Sequence, residues 1–375
     1  MTDAIRDAQA AARHLQAGRF AEARELLAPL AESRSANPQL LMMHAFACRK
    51  LGEKEDCART LDRLILMEPR MARAHLMKGD LAAEAEDVRK AVAFYRRALA
   101  EARHQRLPPD LEAEMKGAQR YIEAADRRFR ELLETRIPAQ ERSPRFRQSL
   151  DLMFGEKEIY FQQPGLYYFP ELPQIQFYER GEFGWAEELE AQAGAIRREL
   201  EGLLAERELF SPYVVSNNER PPSGYHGMVD NPDWSSVYLW SEGKRVDSIA
   251  RRCPKTMAAL DKVPLARLSV RAPVVMFSLL KGGARIPPHH GSTNVRLICH
   301  LPLLVPTGCA LRCGNEVRSW EEGKLLVFDD TIEHEAWNES GEDRVVLIFD
   351  IWRPELTAAD RTAVKRMFEV IDASE

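Results

Sequence analysis

The run Pro287-Pro288-His289-His290-Gly291-Ser292-Thr293-Asn294 sets two imidazoles side by side and follows them with a glycine. As a metal site it is incomplete, because a glycine stands where an acid would be expected. Two strand-like runs downstream carry more polar chemistry. In "NVRLICHLPL" the alternation of strand side chains turns Arg296, Ile298 and His300 to one face and Leu297, Cys299 and Leu301 to the other. In "RVVLIFD" the same rule groups Arg344, Val346 and Ile348. A barrel that buries arginine and histidine on its inner surface must give them partners, since a lone desolvated charge is costly. An anionic ligand is the simplest partner.

The elements that hold these residues are short strands. From Pro273 onward "VVMFSLL", "VRLICHLPLLV", "KLLVFDD" and "RVVLIFDIW" are β-branched or aromatic runs punctuated by "KGG", "PTG", "CGNE" and "ESGED". That texture predicts an antiparallel barrel or jelly roll. Ahead of it lie a helix near Trp185 to Glu206 and the stretch "SPYVVSNNERPPSGYHGMVDNPDWSS", which is too long for a connector and so reads as a functional wall. That loop carries His226. The segment "FQQPGLYYFPELPQIQFYERGEF" brings prolines, aromatics and glycines together and predicts an irregular lead-in.

Up to about residue 135 the chain has a different period. Gly18, Gly52 and Glu86 are 34 residues apart, and Ala23, Cys57 and Ala91 follow each by five. Leu27, Leu61 and Tyr95, then Leu30, Leu64 and Ala98, fall in register, and Ala11, Ala45 and Gly79 take the small position seven residues before each turn. This is the tetratricopeptide period, and such arrays present a groove that holds peptides or partner proteins. Pro69 ends the second repeat, Pro38 has slipped in the first, and Pro29 intrudes into a helix. A further charged helix, with Ile122, Ala125, Phe129 and Leu132 or Leu133 at helical spacing, is expected to cap the array. The fold class is therefore α+β multidomain. A helical repeat domain spans 1–135, a linker and lead-in 136–170, and a β domain with flanking helices 171–375.

A chain of 375 residues that is 45% hydrophobic and 30% charged can bury a core in each domain. Its net charge of −5 gives no general attraction for phosphate backbones, so nucleic acid is not an expected partner. The N-terminus lacks the basic cap and apolar run of a signal peptide, and eighteen uninterrupted apolar residues occur nowhere, so no membrane association is expected. Cys48, Cys57, Cys253, Cys299, Cys309 and Cys313 are scattered and read as reduced thiols in a cytoplasmic protein. The spacing of Cys309 and Cys313 alone is a weak sign of a metal site or a disulfide.

The segments "FSLL", "PPHHGSTNVRLICHLPLLVP", "CALRCGNEVRSWEEGKLLVFDDTIEHEAWNES" and "RVVLIFDIWRPEL", with "NPDWSSVYLW" and "CPKTMAAL" before them, resemble the aspartyl/asparaginyl β-hydroxylase family of iron- and 2-oxoglutarate-dependent oxygenases. The likeness extends from about residue 170 to Leu356. It implies a double-stranded β-helix, a jelly roll of the cupin type, with Fe(II) at one mouth and 2-oxoglutarate and O2 as co-substrates. His289 and His334 match the two iron ligands. The carboxylate that usually completes the facial triad is replaced by Gly291, and the resemblance implies that water fills the position. Asp329, Asp330, Glu333 and Glu335 are alternative sources of a carboxylate. Ser278 and Arg344 match the pair that grips the distal carboxylate of 2-oxoglutarate, the arginine offering a planar fork. His300 matches the contact to the other carboxylate, and Ile298 stands where well-known members have a second arginine.

Arg296 matches an arginine near the substrate, and Trp234 and Trp240 are candidate wall residues. His290 reads as a bystander. The implied reaction is hydroxylation of the β-carbon of an aspartyl or asparaginyl residue, with release of succinate and CO2. The repeat array favours a peptide or protein substrate. A free amino acid, a lipid acyl chain, or a non-catalytic adaptor are the alternatives. A zinc hydrolase is disfavoured by the lack of an HExxH run.

Overall fold

The computed structural model describes residues 2–103, 107–216 and 227–374, so His226 lies outside the described residues. The chain divides into two compact units, Met1–Ser149 and Leu150–Glu375.

In the first unit α1 (Thr2–Gln16) packs on α2 (Phe20–Glu32), α3 (Pro38–Leu51) on α4 (Lys54–Met67), and α5 (Ala72–Glu84) on α6 (Val88–Ala102). The period of 34 has a backbone cause. Gly18, Gly52 and Glu86 sit at the turn inside each pair with φ of 72°, 78° and 59°, a left-handed geometry in which a Cβ is disfavoured. Glu86 carries that cost in the third repeat. Glu86→Gly is expected to raise stability by about 0.5–1 kcal/mol, since relief of the left-handed strain exceeds the extra chain entropy; urea unfolding of the full chain checks it.

The small positions fill as expected: Ala11 and Ala45 are buried, and a Cβ on Gly79 would lie 2.5 Å from the Tyr95 ring. The larger Tyr95 thus replaces the leucines of the first two repeats because its opposite number has no side chain. Helix α7 (Pro109–Arg136) closes the row. Its buried stripe is Leu111, Met115, Ala118 and Ile122, which pack on Ala91, Tyr95 and Ala98 of α6. The expected continuation through Phe129 and Leu132 is not realised, as both are about half exposed. Pro29 lies inside α2 as expected.

The second unit opens with α8 (Pro144–Met153), which straddles the division, and continues through β1 (Phe177–Tyr178), α9 (Ala186–Glu190), α10 (Ala193–Leu204), β2 (Ser211–Pro212), β3 (Trp234–Ser241), β4 (Lys244–Arg245), α11 (Asp247–Ala250) and α12 (Pro254–Leu260). There follow β5 (Val275–Leu280), β6 (Arg285–His289), β7 (Arg296–Leu304), β8 (Cys309–Cys313), β9 (Glu316–Ser319), β10 (Leu326–Phe328), β11 (His334–Asn338), β12 (Arg344–Trp352) and α13 (Ala358–Asp372). The single helix expected near Trp185 to Glu206 is two, α9 and α10.

The strands form an eight-stranded sheet in the order β1-β10-β7-β12-β5-β3-β2, with β4 on β3, and a four-stranded sheet in the order β6-β11-β8-β9. Among the described residues every pairing of these strands is antiparallel. This is the expected double-stranded β-helix. Period-two alternation gives the large sheet two faces. Leu297, Cys299 and Leu301 of β7 and Val345, Leu347 and Phe349 of β12 pack with Ile196, Leu200 and Leu203 of α10. The opposite face and the small sheet share a second core containing Trp234, Leu280, Ile286, Leu311, Phe328 and Ala336. The site lies on that inner face. Among the described residues no helix is long and apolar enough to cross a membrane.

The lead-in is tied to the barrel by side chains. Gln162 donates to Asp329 at 2.6 Å and accepts from Asn294 at 2.9 Å. Arg353, fully buried, pairs with Asp329 at 2.6 Å and donates to the Tyr178 hydroxyl at 2.8 Å. A buried arginine is tolerable only with such partners.

Candidate active site

Antiparallel register brings the two separated histidines together. His289 ends β6 and His334 begins β11, and they are direct cross-strand partners, with ring centroids 4.0 Å apart. Each ring is oriented by its own backbone: Nδ1 of His289 lies 2.8 Å from the Pro287 carbonyl and Nδ1 of His334 lies 3.1 Å from that of Ile332. A carbonyl only accepts, so each Nδ1 carries the proton and each Nε2 keeps its lone pair for a metal. Burial lowers both pKa values from the ordinary imidazole range. The donor set is thus two neutral imidazoles with fixed tautomers, which fits ferrous iron.

A cavity of about 830 Å³ opens beside them. Ser278, Trp234, Arg344 and His300 line one part of it, and Arg296, Gly291 and Asp330 another. Arg344 is 1% exposed, and its Nε and one terminal nitrogen have no hydrogen-bond partner. Burial pulls its pKa down to about 10, which still leaves it charged at neutral pH. Its guanidinium stacks 4.7 Å over the Trp320 ring. Trp234 donates Nε1–H to the Ser278 hydroxyl at 3.2 Å, so the hydroxyl proton remains to be donated. Trp320 donates Nε1–H to Nδ1 of His300 at 3.3 Å. With Nδ1 accepting, the His300 proton resides on Nε2. Burial and then Arg344 push the His300 pKa down to about 3. Three donors therefore converge where an anion is needed, and a carboxylate is the ligand that satisfies the orphaned guanidinium.

The three lowered histidines make a pH prediction. Between the unfolded value near 6.5 and the depressed folded values, the unfolded chain binds more protons, so stability rises with pH. Asp330, raised by burial to about 7, acts in the opposite sense, as do Asp350 and Asp80, both raised by burial, but with His44 also lowered by burial the histidines outnumber them. Urea unfolding of the metal-free chain is expected to show stability increasing from about pH 4.5 to about 6.5 and levelling above it, with a shallower slope in His300→Asn.

Residues 190–354 match the model of the aspartyl/asparaginyl beta-hydroxylase family. Over that stretch the C-terminal unit is similar to the aspartyl/asparaginyl beta-hydroxylases. Its relatives include the human aspartyl/asparaginyl beta-hydroxylase, 41% identical over 138 residues that make up 36% of this chain and 18% of the relative. Human aspartate beta-hydroxylase domain-containing protein 2 is 32% identical over 211 residues, 55% of either chain. The ornithine lipid ester-linked acyl 2-hydroxylase of Rhizobium tropici is 36% identical over 181 residues, 47% of this chain and 60% of the relative. The chain thus spans between about a fifth and three fifths of these relatives.

Within the C-terminal unit, the residues expected to act together, His289, His334, Ser278, His300, Arg344 and Arg296, all line one cavity. Gly291 has a structural reason. A Cβ at this position would lie 2.0 Å from Oδ2 of Asp330, so the Asp330 carboxyl occupies the space a side chain at 291 would need. The other acids are committed elsewhere: Asp329 to Arg353, and Glu333 and Glu335 to Arg312. Among the described residues, no third His, Cys, Asp or Glu joins the two histidines in a metal-binding group.

Trp240 is a correction. A bulge between Tyr238 and Trp240 skips one residue, which transfers Trp240 to the helix-covered face, where it packs in the outer core under Arg267. Trp234, before the bulge, remains on the cavity wall. The Cys309–Cys313 pairing is not realised either. The two are four residues apart along β8, roughly 13 Å of strand, and their thiols meet Asn338 and the Asp329 carbonyl. Arg296 lies at the cavity but is held by Asp350 at 2.5 Å, with Asp330 3.6 Å away. His290 lines the cavity too, and its Nε2 is buried without a partner.

Sequence reading gave no role to Trp320, Asp350 or Tyr213. Trp320 lies within the family-like run "CGNEVRSWEEG", which was the available signal; Asp350 appears only through its pairing register with Ile298. Tyr213 stacks on Trp234 at 4.2 Å and lines the wall.

Proposed function

We propose that the chain is an Fe(II)- and 2-oxoglutarate-dependent dioxygenase that hydroxylates the β-carbon of an aspartyl or asparaginyl residue in a peptide or protein. The observation that carries this is the meeting of two tautomer-fixed neutral histidines with a buried, unsatisfied arginine in one cavity of a unit similar to the hydroxylase family. Bound ferrous iron, with 2-oxoglutarate and O2, supplies the oxidising power to replace an unactivated C–H by C–OH. One oxygen atom ends in the new hydroxyl and the other in succinate, with CO2 lost.

The chain's own residues bind and orient. His289 and His334 hold the metal through Nε2. Arg344 and Ser278 hold the far carboxylate of 2-oxoglutarate, while the Nε2–H of His300 contacts the other one. Phe328, Leu311, Ile286 and Ala336 wall the histidines with apolar surface that excludes bulk water. The helical repeat unit, a fold suited to grooves for peptides, supports a polypeptide substrate. Six buried free thiols support a cytoplasmic location.

The similarity to an ornithine lipid acyl hydroxylase favours one second reading, the same oxygenase chemistry on a lipid acyl chain. The test incubates the iron-loaded full chain with 2-oxoglutarate, oxygen and a panel of Asp- and Asn-containing peptides beside ester-linked acyl lipids. Mass gain of one oxygen atom on a peptide is the expected result. Oxygen incorporation confined to the lipid would replace the substrate part of the proposal, and no succinate in any reaction would end the oxygenase reading.

A further inference from the structure

The charges lining the cavity constrain the group that can enter it. Among the described residues three arginines do so: Arg271, Arg296 and Arg344. Under the oxygenase reading, on which the specificity argued below rests, Arg344 is taken by the co-substrate. Arg271 pairs with Asp372 at 2.6 Å and lies over the Phe368 ring. Arg296 is flanked by two carboxylates, Asp350 at 2.5 Å and Asp330 at 3.6 Å. The sum of that trio is −1 when both acids are ionised and zero when one is protonated. With at least one of the two acids ionised it is not positive.

The described wall next to the trio adds no cation. Ile298 stands between Arg296 and His300 on the same face of β7, and Met276 and Ile348 line the adjoining strands. A second carboxylate brought here from water would lose its hydration and meet a neutral or negative surround, which is the costly case for a buried charge. A carboxamide meets neither penalty. Three polar atoms at the cavity also lack partners, Oδ1 of Asp330, Nε2 of His290 and Nε of Arg296, the last a donor that an amide oxygen satisfies. The first can accept an amide N–H, and the second offers a ring nitrogen to the remaining polar atom. Leaving such atoms unpaired is unfavourable, so a ligand that satisfies them is favoured over one that does not.

We infer that the side chain presented for hydroxylation is uncharged, and that this enzyme takes the amide of an asparaginyl residue in preference to the carboxylate of an aspartyl residue. Asp330 and Asp350 are then specificity-determining residues: they neutralise Arg296 and so deny an anionic side chain its counter-charge.

The experiment uses the iron-loaded full chain with saturating 2-oxoglutarate and oxygen. Matched N-acetylated, C-amidated peptides differing only in one Asn or Asp are offered in competition, and both oxygen incorporation and succinate are measured. The expected result is a preference of ~tenfold or more for the Asn member in kcat/KM. Asp350→Asn supplies the second arm. It keeps the shape and still accepts the Val274 N–H that Asp350 accepts at 3.0 Å, but leaves Arg296 with surplus positive charge. The ratio should move ~tenfold toward Asp.

Equal or faster turnover of the Asp member, or a ratio that Asp350→Asn leaves in place, would overturn the inference while the oxygenase reading stands. So would succinate release with oxygen incorporated into neither peptide, including the case in which only an ester-linked acyl lipid is hydroxylated. Absence of succinate in every arm is the separate failure of the oxygenase reading itself, and the inference falls with it.

Discussion

Arg344→Met is expected to make the metal-free chain more stable while removing its affinity for 2-oxoglutarate. Both effects come from one observation: a guanidinium 1% exposed with two nitrogens unpaired. In the absence of an anion that charge is desolvated without compensation, as its lowered pKa reflects. Methionine fills similar space and can keep contact with the Trp320 ring on which Arg344 lies. Replacing an unsatisfied buried charge by an apolar side chain is worth about 1–3 kcal/mol to the folded state. The same substitution deletes the charge-assisted fork to a carboxylate, with an expected loss of roughly a hundred- to thousandfold in 2-oxoglutarate affinity. Urea unfolding and calorimetric titration of the co-substrate check the pair. Lower stability together with unchanged binding would show that Arg344 is structural.

Gly291→Asp, which would recreate the usual facial-triad sequence, is expected to damage the protein. The intruding Cβ would lie 2.0 Å from one Asp330 oxygen and 2.2 Å from its carboxyl carbon. Backbone relief is blocked on both sides of the glycine, whose N–H donates to the Asp330 carbonyl at 2.6 Å and whose carbonyl accepts from Gly165 at 2.9 Å. Asp330 must therefore move, and its ion pair with Arg296 goes with it. Overpacking combined with a disturbed buried charge network costs about 2–4 kcal/mol, and a second carboxylate adds repulsion. Gly291→Ala isolates the steric part and should cost about 1–3 kcal/mol. Pairing Gly291→Asp with Asp330→Gly exchanges the carboxylate across the gap and should recover much of the loss, giving a large coupling energy in a double-mutant cycle. Unchanged stability of Gly291→Ala would show that Asp330 is not held where the structure has it.

Much of this site was legible because strand alternation is strictly local. Arg296, Ile298 and His300 occupy one face of β7 and line the cavity, as the period of two required, and Leu297, Cys299 and Leu301 went to the core. The repeat register was equally legible, since a left-handed turn recurs at Gly18, Gly52 and Glu86. What stayed hidden depends on register between distant strands. Asp350 faces Arg296 only because β12 lies beside β7, and Asp330 fills the space at Gly291 only because two loops 39 residues apart meet. Trp240 failed for a smaller reason: one bulged residue inverts every side chain after it, and no composition signal in "NPDWSSVYLW" marks the bulge.

The most direct test of the two-histidine site is anaerobic ferrous iron binding by the full chain, with and without 2-oxoglutarate, for the parent and for His289→Ala and His334→Ala. The structure predicts one iron per chain in the parent, tighter binding when 2-oxoglutarate is present, and a loss of at least ~hundredfold in either variant with no loss of fold. Iron bound equally well by the parent and both variants would contradict it.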